Sequence, residues 1–453
     1  MNRCRLSLAL SLLISPLTAY GADLMQVYEM ARSGDTQLAI AESNRLHTLE
    51  GQVQARAALL PQIQGSAAVG RTRTEIPGAP ETGNVRSRQY GLNAGQSLFD
   101  WSRFANLRAQ RELSQAADLT LEAANDDLIM RTSATYFNVL IAIESLAAAQ
   151  SNETAAQKQF DYAQKRLAVG LAPITDMHEA RAQYDQARAD TILARNALED
   201  ASQALAELTG QSLSNTAHNL RDLRGLPEDF RPQLPEDRGD VEQLVSSAVT
   251  QNPLIRAQQL QVGAAESSIA AARARHYPNL SLAANWSKQN QSGHTPQNTQ
   301  PDDITANSIS LNLTIPIFAG GAVQSSMRQA LAQRDIAQEV LEQQRRQLDR
   351  RTRNAWQSLV AGISEVEARR LAVVSAQSAF DASQIGLEVG TRTVLDVVQN
   401  QRTLFQAQLM YVQAKYQFLQ NRLALEQALG TLDAQVLQNV NRLLTQAKNS
   451  AGS

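Results

Sequence analysis

Two short stretches set the plan of this chain: Val169-Gly170-Leu171-Ala172-Pro173-Ile174-Thr175-Asp176 and Val389-Gly390-Thr391-Arg392-Thr393-Val394-Leu395-Asp396, 220 residues apart. In each, a Gly ends a long helix-forming run, and an Asp six residues later opens another. Gly just past a helix end supplies the left-handed cap conformation, and Pro173 cannot continue the helix before it. The stretches read as two helical-hairpin tips, one in each half of a duplicated chain.

The offset persists elsewhere. Leu59-Leu60-Pro61 matches His276-Tyr277-Pro278 at 217, Leu98-Phe99-Asp100 matches Ile317-Phe318-Ala319 at 219, and Gly210 matches Gly430 at 220. Units this long are not solenoid repeats of roughly 20–50 residues. The division expected is a first repeat over 22–226 (helix, two strands, long helix, tip, return helix), a connector over 227–240 broken by Pro227, Pro232 and Pro235, and a second repeat of the same order over 241–453. Residues 1–21 read as a secretory signal, with Arg3 and Arg5 before an apolar run and small residues at a cleavage point after Gly21 or Ala22. The single cysteine, Cys4, leaves with that segment.

Neither Pro nor Gly interrupts the chain between Gln96 and Val169. With Asp100 as N-cap, this predicts a helix of about 100 Å at 1.5 Å per residue. A second long helix is expected from near Ala322 to Val389, and shorter return helices over about 175–208 and 394–429. Apolar side chains recur every seven residues on the return helices: Met177, Tyr184, Thr191, Leu198, Leu205, and Val397, Leu404, Tyr411, Phe418, Leu425. The second long helix carries two such rows, Leu341, Leu348, Ala355 and Leu359, Val366, Val373. A seven-residue period gives left-handed coiling. Helical sequence alone leaves two arrangements open, the wall of a cylinder and a simple antiparallel hairpin bundle.

The strands separate them. Four segments, about 62–74, 87–99, 279–288 and 308–318, read as strands; Ser308 to Ile317 alternates polar and apolar almost without error, Leu280, Leu282, Ala284 and Trp286 share one face, Tyr90, Leu92, Ala94 and Leu98 follow the same pattern, and the first segment is weak and Gly-rich. Such alternation over about ten residues marks a transmembrane β-barrel strand, apolar toward lipid and polar toward the lumen. Four strands cannot close a membrane-spanning barrel, because an open edge in lipid is prohibitively costly. Three protomers with four strands each would give twelve strands and a through-channel, whereas eight strands would be filled by side chains. Ile309, Leu311, Leu313 and Ile315 are the expected lipid-facing row. The joining segments Glu75–Arg86 and Gln289–Asn307 are expected as outer loops.

Without Arg3 and Arg5, 40 Lys and Arg face 44 Asp and Glu, a slightly acidic balance that argues against nucleic acid as a partner. The five histidines, His47, His178, His218, His276 and His294, form no metal-ligand pattern. No phosphate loop or nucleophile motif is present. The chain is therefore expected to be neither an enzyme nor a cofactor protein, and to draw any energy from a partner. A periplasmic coiled-coil scaffold or adaptor is the rival reading.

The two tip stretches, together with Leu24-Met25-Gln26-Val27-Tyr28, Ala134-Thr135-Tyr136-Phe137-Asn138-Val139-Leu140, Ala180-Arg181-Ala182-Gln183-Tyr184-Asp185 and Ala428-Leu429-Gly430-Thr431-Leu432, resemble the TolC family of outer-membrane exit ducts over essentially all of residues 22–445. The resemblance implies an α+β membrane protein: a homotrimer with a twelve-stranded barrel in outer-membrane lipid, continued by a helical coiled-coil barrel through the periplasm. It implies a passive channel for efflux or type I secretion that docks on a periplasmic adaptor (membrane fusion) protein and an inner-membrane transporter of RND, ABC or MFS type. The adaptor contacts it implies are Val169, Gly170, Leu171, Val389, Gly390 and Thr391. By position Thr175, Asp176 and Arg392 match the family's linking residues at a closed entrance, and Asp396 matches the inner of its constricting acidic rings. Two departures stand out: Leu387 replaces a Tyr of some members, and Gln399 a second constricting Asp. Read without the family, Arg392 and Asp396 are four apart on a helix and form only a solvated pair of about 0.3–0.5 kcal/mol.

Overall fold

A computed structural model of the chain describes residues 23–75, 83–171, 173–210, 223, 225–227, 230–233, 240–294 and 303–445. The signal segment with Cys4, Ala172, the centres of both strand-joining segments and part of the connector lie outside the described residues. The elements are α1 (Leu24–Gly34), α2 (Thr36–Ala57), β1 (Gln62–Thr74), β2 (Gly83–Phe99), α3 (Trp101–Ala168), α4 (Ile174–Thr209), α5 (Val241–Gln251), α6 (Pro253–Ala274), β3 (Asn279–His294), β4 (Asp303–Thr314), α7 (Ala322–Glu388), α8 (Val394–Leu429) and α9 (Ala434–Thr445).

Each half opens with two helices where the sequence suggests one. Asp35 ends α1 and caps α2, accepting the Leu38 N–H at 2.7 Å. Asn252 does the same between α5 and α6, ahead of Pro253 at the first helical position. Asp35 is buried and accepts two further hydrogen bonds from the Arg131 guanidinium at 2.7 and 3.0 Å, which hold its carboxyl below the usual carboxylate range.

The long helices are as the missing breakers predict: α3 has 68 residues, capped by Asp100 through the Ser102 and Arg103 N–H groups, and α7 has 67. The heptad rows face inward. Val397, Leu404, Tyr411, Phe418 and Leu425 are all at most 9% exposed, and Leu348, Leu359 and Val366 on α7 are buried too. Small residues are buried along the hairpins as well, Ala149, Ala156, Ala163, Ala180 and Ala187, and such residues let helix backbones approach closely. The main core gathers α1, α3, α7, α8 and α9 at mid-length, around Tyr136, Phe137, Tyr416 and Leu419. A second cluster near the tips joins Ala163, Ala180, Phe380, Leu387, Val394 and Val397. The connector docks on the main core: the Leu226 N–H donates to the Tyr416 hydroxyl, which donates to Glu144, and Phe230 meets Phe418.

All four strands form one antiparallel sheet in the order β1-β2-β3-β4. Its register puts Ile63, Ala94, Ala284 and Ile309 side by side, then Gly65, Leu92 and Trp286, and it pairs Leu282 with Leu311 and Leu280 with Leu313. At these positions the face is apolar yet exposed, with Ile63, Leu92, Ile309, Leu311 and Leu313 all open, while toward the loop end the same face carries Arg71, Arg86, Arg88 and Lys288. The opposite face carries Gln64, Asn93, Ser281, Asn285, Ser308, Ser310 and Asn312. Three expectations change. A register shift between Ser97 and Phe99 sets Phe99, not Leu98, opposite Leu280, because the extra residue of a bulge turns the rest of the strand onto its other face. β3 and β4 run on through much of Gln289–Asn307, so that polar stretch is strand as well as loop. β4 stops at Thr314, leaving Ile315 beyond it beside Pro316, which has no N–H to offer a ladder. Among the described residues no helix is long and apolar enough to cross a membrane.

Close packing near the start of the chain depends on glycine. A Cβ on Gly34 would stand 2.3 Å from the Thr209 carbonyl oxygen at the end of the return helix α4, whereas one on Gly51 would meet only the end of the Gln110 side chain. Gly34→Ala is therefore expected to cost about 1–3 kcal/mol through overpacking and to lower the thermal midpoint, while Gly51→Ala stays close to neutral. Parallel thermal melts of the two variants check this.

Candidate functional site

The candidate site is the end of the molecule where the hairpins turn. α3 and α7 both end in the same hydrogen-bonded cap. The Gly170 N–H donates to Leu167 O and the Leu171 N–H to Arg166 O; the Gly390 N–H donates to Leu387 O and the Thr391 N–H to Gly386 O. This double closure requires a left-handed residue, and Gly170 and Gly390 have φ of 74° and 77°. A Cβ at either would meet nothing within 4 Å, so backbone conformation and not space demands glycine there.

The caps push apolar side chains outward. Val169, Leu171 and Ile174 on the first tip, and Ile385, Val389 and Leu395 on the second, are all more than half exposed. Around them the hairpins are firmly tied. Phe160 of α3 stacks on Tyr184 of α4 with centroids 6.1 Å apart, and the Arg166 guanidinium lies over the Tyr162 ring and donates to Leu171 O. On the second hairpin Gly386 leaves room for the Arg392 side chain, whose Cγ would sit 2.6 Å from any Cβ placed there. That glycine lies in the last turn of α7 and serves the tip by omission.

The two Asp residues of the tips differ in use. Asp396 completes a capping box: its carboxylate accepts the Thr393 N–H at 2.9 Å and the Thr393 hydroxyl at 3.0 Å, while its own N–H donates to Thr393 Oγ1 at 3.2 Å. The Thr393 backbone and side chain, helped by Arg392, hold the Asp396 carboxyl below its ordinary range. The Arg392–Asp396 pair is loose, 3.9 Å apart on an exposed surface. α4 begins at Pro173 without a side-chain cap, and among the described residues Asp176, in its first turn, is not tied up as Asp396 is. No ion pair joins Asp176 to Arg392 within the described chain. Thr175 is exposed and Gln399 likewise. Among the described residues no group of His, Cys, Asp and Glu is placed to hold a metal ion.

Two polar ties between α3 and α8 were not visible in the sequence. Buried Gln401 donates to the Asn152 carbonyl and side-chain oxygens at 3.0 and 2.9 Å, and buried Lys415 pairs with Glu144 at 3.0 Å. Both sit amid heptad rows, where a polar residue looks like an ordinary solvated position.

The family model for outer membrane efflux proteins matches residues 27–211 and 244–431. Outer membrane protein TolC of Escherichia coli K12 is 34% identical over 433 residues, covering 93% of this chain and 85% of that protein. The proteases secretion protein PrtF of Dickeya chrysanthemi is 27% identical over 441 residues, 96% of this chain and 94% of that one. In fold the chain is similar to the crystal structure of the Campylobacter jejuni CmeC outer membrane channel, with a TM-score of 0.76 at 19% identity over 94% of this chain and 90% of that chain.

The capping box sets a pH dependence at the tip. A carboxyl whose folded value lies below its unfolded one contributes stability that is present above the unfolded range, near pH 4, and is lost as pH falls through the folded value. The Thr393 and Asp396 amides should therefore stay protected from hydrogen exchange at pH 5 and above and lose protection only at strongly acid pH. Thr393→Ala should remove the protection of the Asp396 amide at every pH.

Proposed function

The chain belongs to the outer membrane efflux protein family, and on that premise we propose that three copies close one barrel and one helical tunnel, with the paired tips as its periplasmic entrance. The protein is an outer-membrane efflux or secretion channel of a Gram-negative cell. Channels of this family are not enzymes, so no catalysis is expected of it. It works with partner proteins. The adaptor and transporter implied by the family resemblance are part of the proposal, with Val169, Gly170, Leu171, Val389, Gly390 and Thr391 as the docking points.

One observation carries the trimer: a sheet with an apolar exposed face and two edge strands, β1 and β4, without partners among the described residues. Pairing β4 of one copy with β1 of the next satisfies both edges, and three copies give a twelve-stranded barrel lined by Ser310, Asn312 and Asn93. The repeated order of two helices, two strands, long helix and return helix supports reading the chain as two structural repeats, 22–226 and 241–453, joined by the connector 227–240.

The proposed entrance is held shut by Arg392 of one hairpin pair bridging to Asp176 or Thr175 of a neighbouring pair. The support is that Asp176 is not spent on a cap and that Arg392 is only loosely held by Asp396. Asp396 would form a single ring of three carboxylates, since Gln399, one turn further on the same face, adds no charge.

Three outcomes test these assignments. Leu313→Lys should impair membrane assembly, by about 2–4 kcal/mol per strand if the site lies near mid-membrane, while Asn312→Lys is tolerated; equal tolerance in a heat-resistant-trimer assay sinks the barrel. Arg392→Ala or Asp176→Ala should raise single-channel conductance in planar bilayers, and no change in either leaves Arg392 an ordinary surface charge. Gln399→Asp should strengthen block by a trivalent cation applied from the periplasmic side, and Asp396→Asn, which keeps an oxygen to accept from Thr393, should nearly abolish it.

A further inference from the structure

Just below the sheet, α3 and α6 do not close completely. A cavity of about 290 Å³ opens between them, lined by Trp101, Phe104 and Arg108 on one side and by Gly263, Glu266 and Ser267 on the other. Trp101 and Phe104 are 49% and 45% exposed on the first turn of α3, two and five residues after Phe99 on the apolar sheet face. Trp101, Phe104 and Arg108 fall at i, i+3 and i+7, one stripe of the helix. The groove exists because position 263 has no side chain: a Cβ there would sit 3.1 Å from the Glu112 carboxylate. Glu112 is fixed by Ser267, whose hydroxyl donates to it at 3.3 Å. Two carboxylates, Glu112 and Glu266, share the groove with Arg108.

We propose that this groove binds one phospholipid with an amine headgroup from the periplasmic leaflet of the outer membrane. The acyl chains lie against Trp101 and Phe104, continuous with the apolar sheet face. The phosphate meets the Arg108 guanidinium, and the ammonium reaches Glu266 and Glu112. The dimensions fit. Arg108 is seven residues, about 10 Å, along the helix from Trp101. A headgroup layer extends roughly 5–8 Å beyond the hydrocarbon, and an arginine stem reaches back toward it. Mixed charge selects the headgroup: a phosphate alone would satisfy Arg108 but leave two carboxylates facing it, whereas a zwitterion answers both signs. Both walls belong to one chain. The site rests on the outer-membrane location.

The test uses two single-tryptophan forms of the full chain, one keeping Trp101 (Trp286→Phe, Trp356→Phe) and one keeping Trp286 (Trp101→Phe, Trp356→Phe). Each is reconstituted in phosphatidylcholine vesicles holding a minor fraction of brominated phosphatidylethanolamine or brominated phosphatidylglycerol. Trp286, on the apolar sheet face, should be quenched by both lipids alike. Trp101 should be quenched at least twofold more by the ethanolamine lipid. Arg108→Ala should at least halve quenching of Trp101 by either lipid, with Arg108→Lys restoring part of it. Glu112→Gln with Glu266→Gln should make the two lipids equal. Gly263→Val, which fills the groove and presses on the Glu112 carboxylate without removing any charge, should also abolish the preference. The proposal is overturned if Trp286 is quenched while Trp101 shows no preference and ignores Arg108→Ala. If Trp286 itself escapes quenching, the membrane-facing sheet is wrong and the groove falls with it.

Discussion

Everything in this architecture depends on the unpaired edges of a small sheet. A backbone N–H or C=O without a partner in hydrocarbon costs several kcal/mol, and an edge strand carries a row of them. Among the described residues β1 and β4 are such edges, yet on one face the sheet between them carries an exposed apolar band, from Ile63, Leu92 and Trp286 to Ile309, Leu311 and Leu313. A soluble domain would cover that face with helices. Here the helices extend away from the strands instead, since α3 follows β2 directly and α7 follows β4 after a short link. Lipid would take up the apolar band, and the pairing of copies proposed above would satisfy the edges.

Below the sheet a different rule governs. Beyond the main core the long hairpins draw their stability from seams between neighbouring helices. The seams combine heptad rows with alanines, among them Ala149, Ala156 and Ala163 on α3, which bring axes close enough for side chains to interlock. Apolar seams by themselves permit sliding by one heptad, because every seventh layer resembles the last. The buried ties Gln401–Asn152 and Lys415–Glu144 remove that freedom, since a slipped register would leave an amide or an ammonium buried without its partner. Tyr416 and the connector extend the second tie, locking the middle of the molecule where both halves meet.

Much of this was legible in the sequence for physical reasons. Heptads and breakers report on local geometry, so α3 could be bounded to within a residue or two from Asp100 and Gly170, and the end of α7 from Gly390. Strand limits were less readable, because Gly, Asn and Gln at 289–294 can belong to a loop or to a water-exposed strand end; pairing with β2 decides, and pairing is not local. The bulge at Ser97 was hidden for the same reason. The division of the opening helices does have a sequence signal, since Asp35 and Asn252 are both good caps and Pro253 marks the next start. At the tips the sequence identified the residues but not their different duties. Asp176 and Asp396 occupy matching positions, yet only Asp396 follows a Thr placed to form a reciprocal cap. The groove between α3 and α6 left no sequence signal beyond Gly263, whose meaning depends on Glu112 across the helix pair.

The replacement of Tyr by Leu at position 387 then acquires a physical meaning. Leu387 is buried in the cluster near the tips with Phe380, Val394 and Val397, all on the α7–α8 hairpin, and with Ala163 and Ala180 from the other. A Tyr there would have to direct its hydroxyl to a partner on the facing hairpin. Leu makes the contact by packing alone, which is not directional and is insensitive to salt. Hairpin can thus move against hairpin without first breaking a directional bond at this point, provided the apolar area stays covered. In the proposed entrance the polar load of closure would fall on Arg392, seated over Gly386 and only loosely paired with Asp396 of its own hairpin. An entrance built this way would respond to ionic strength through one residue and to apolar docking through the other.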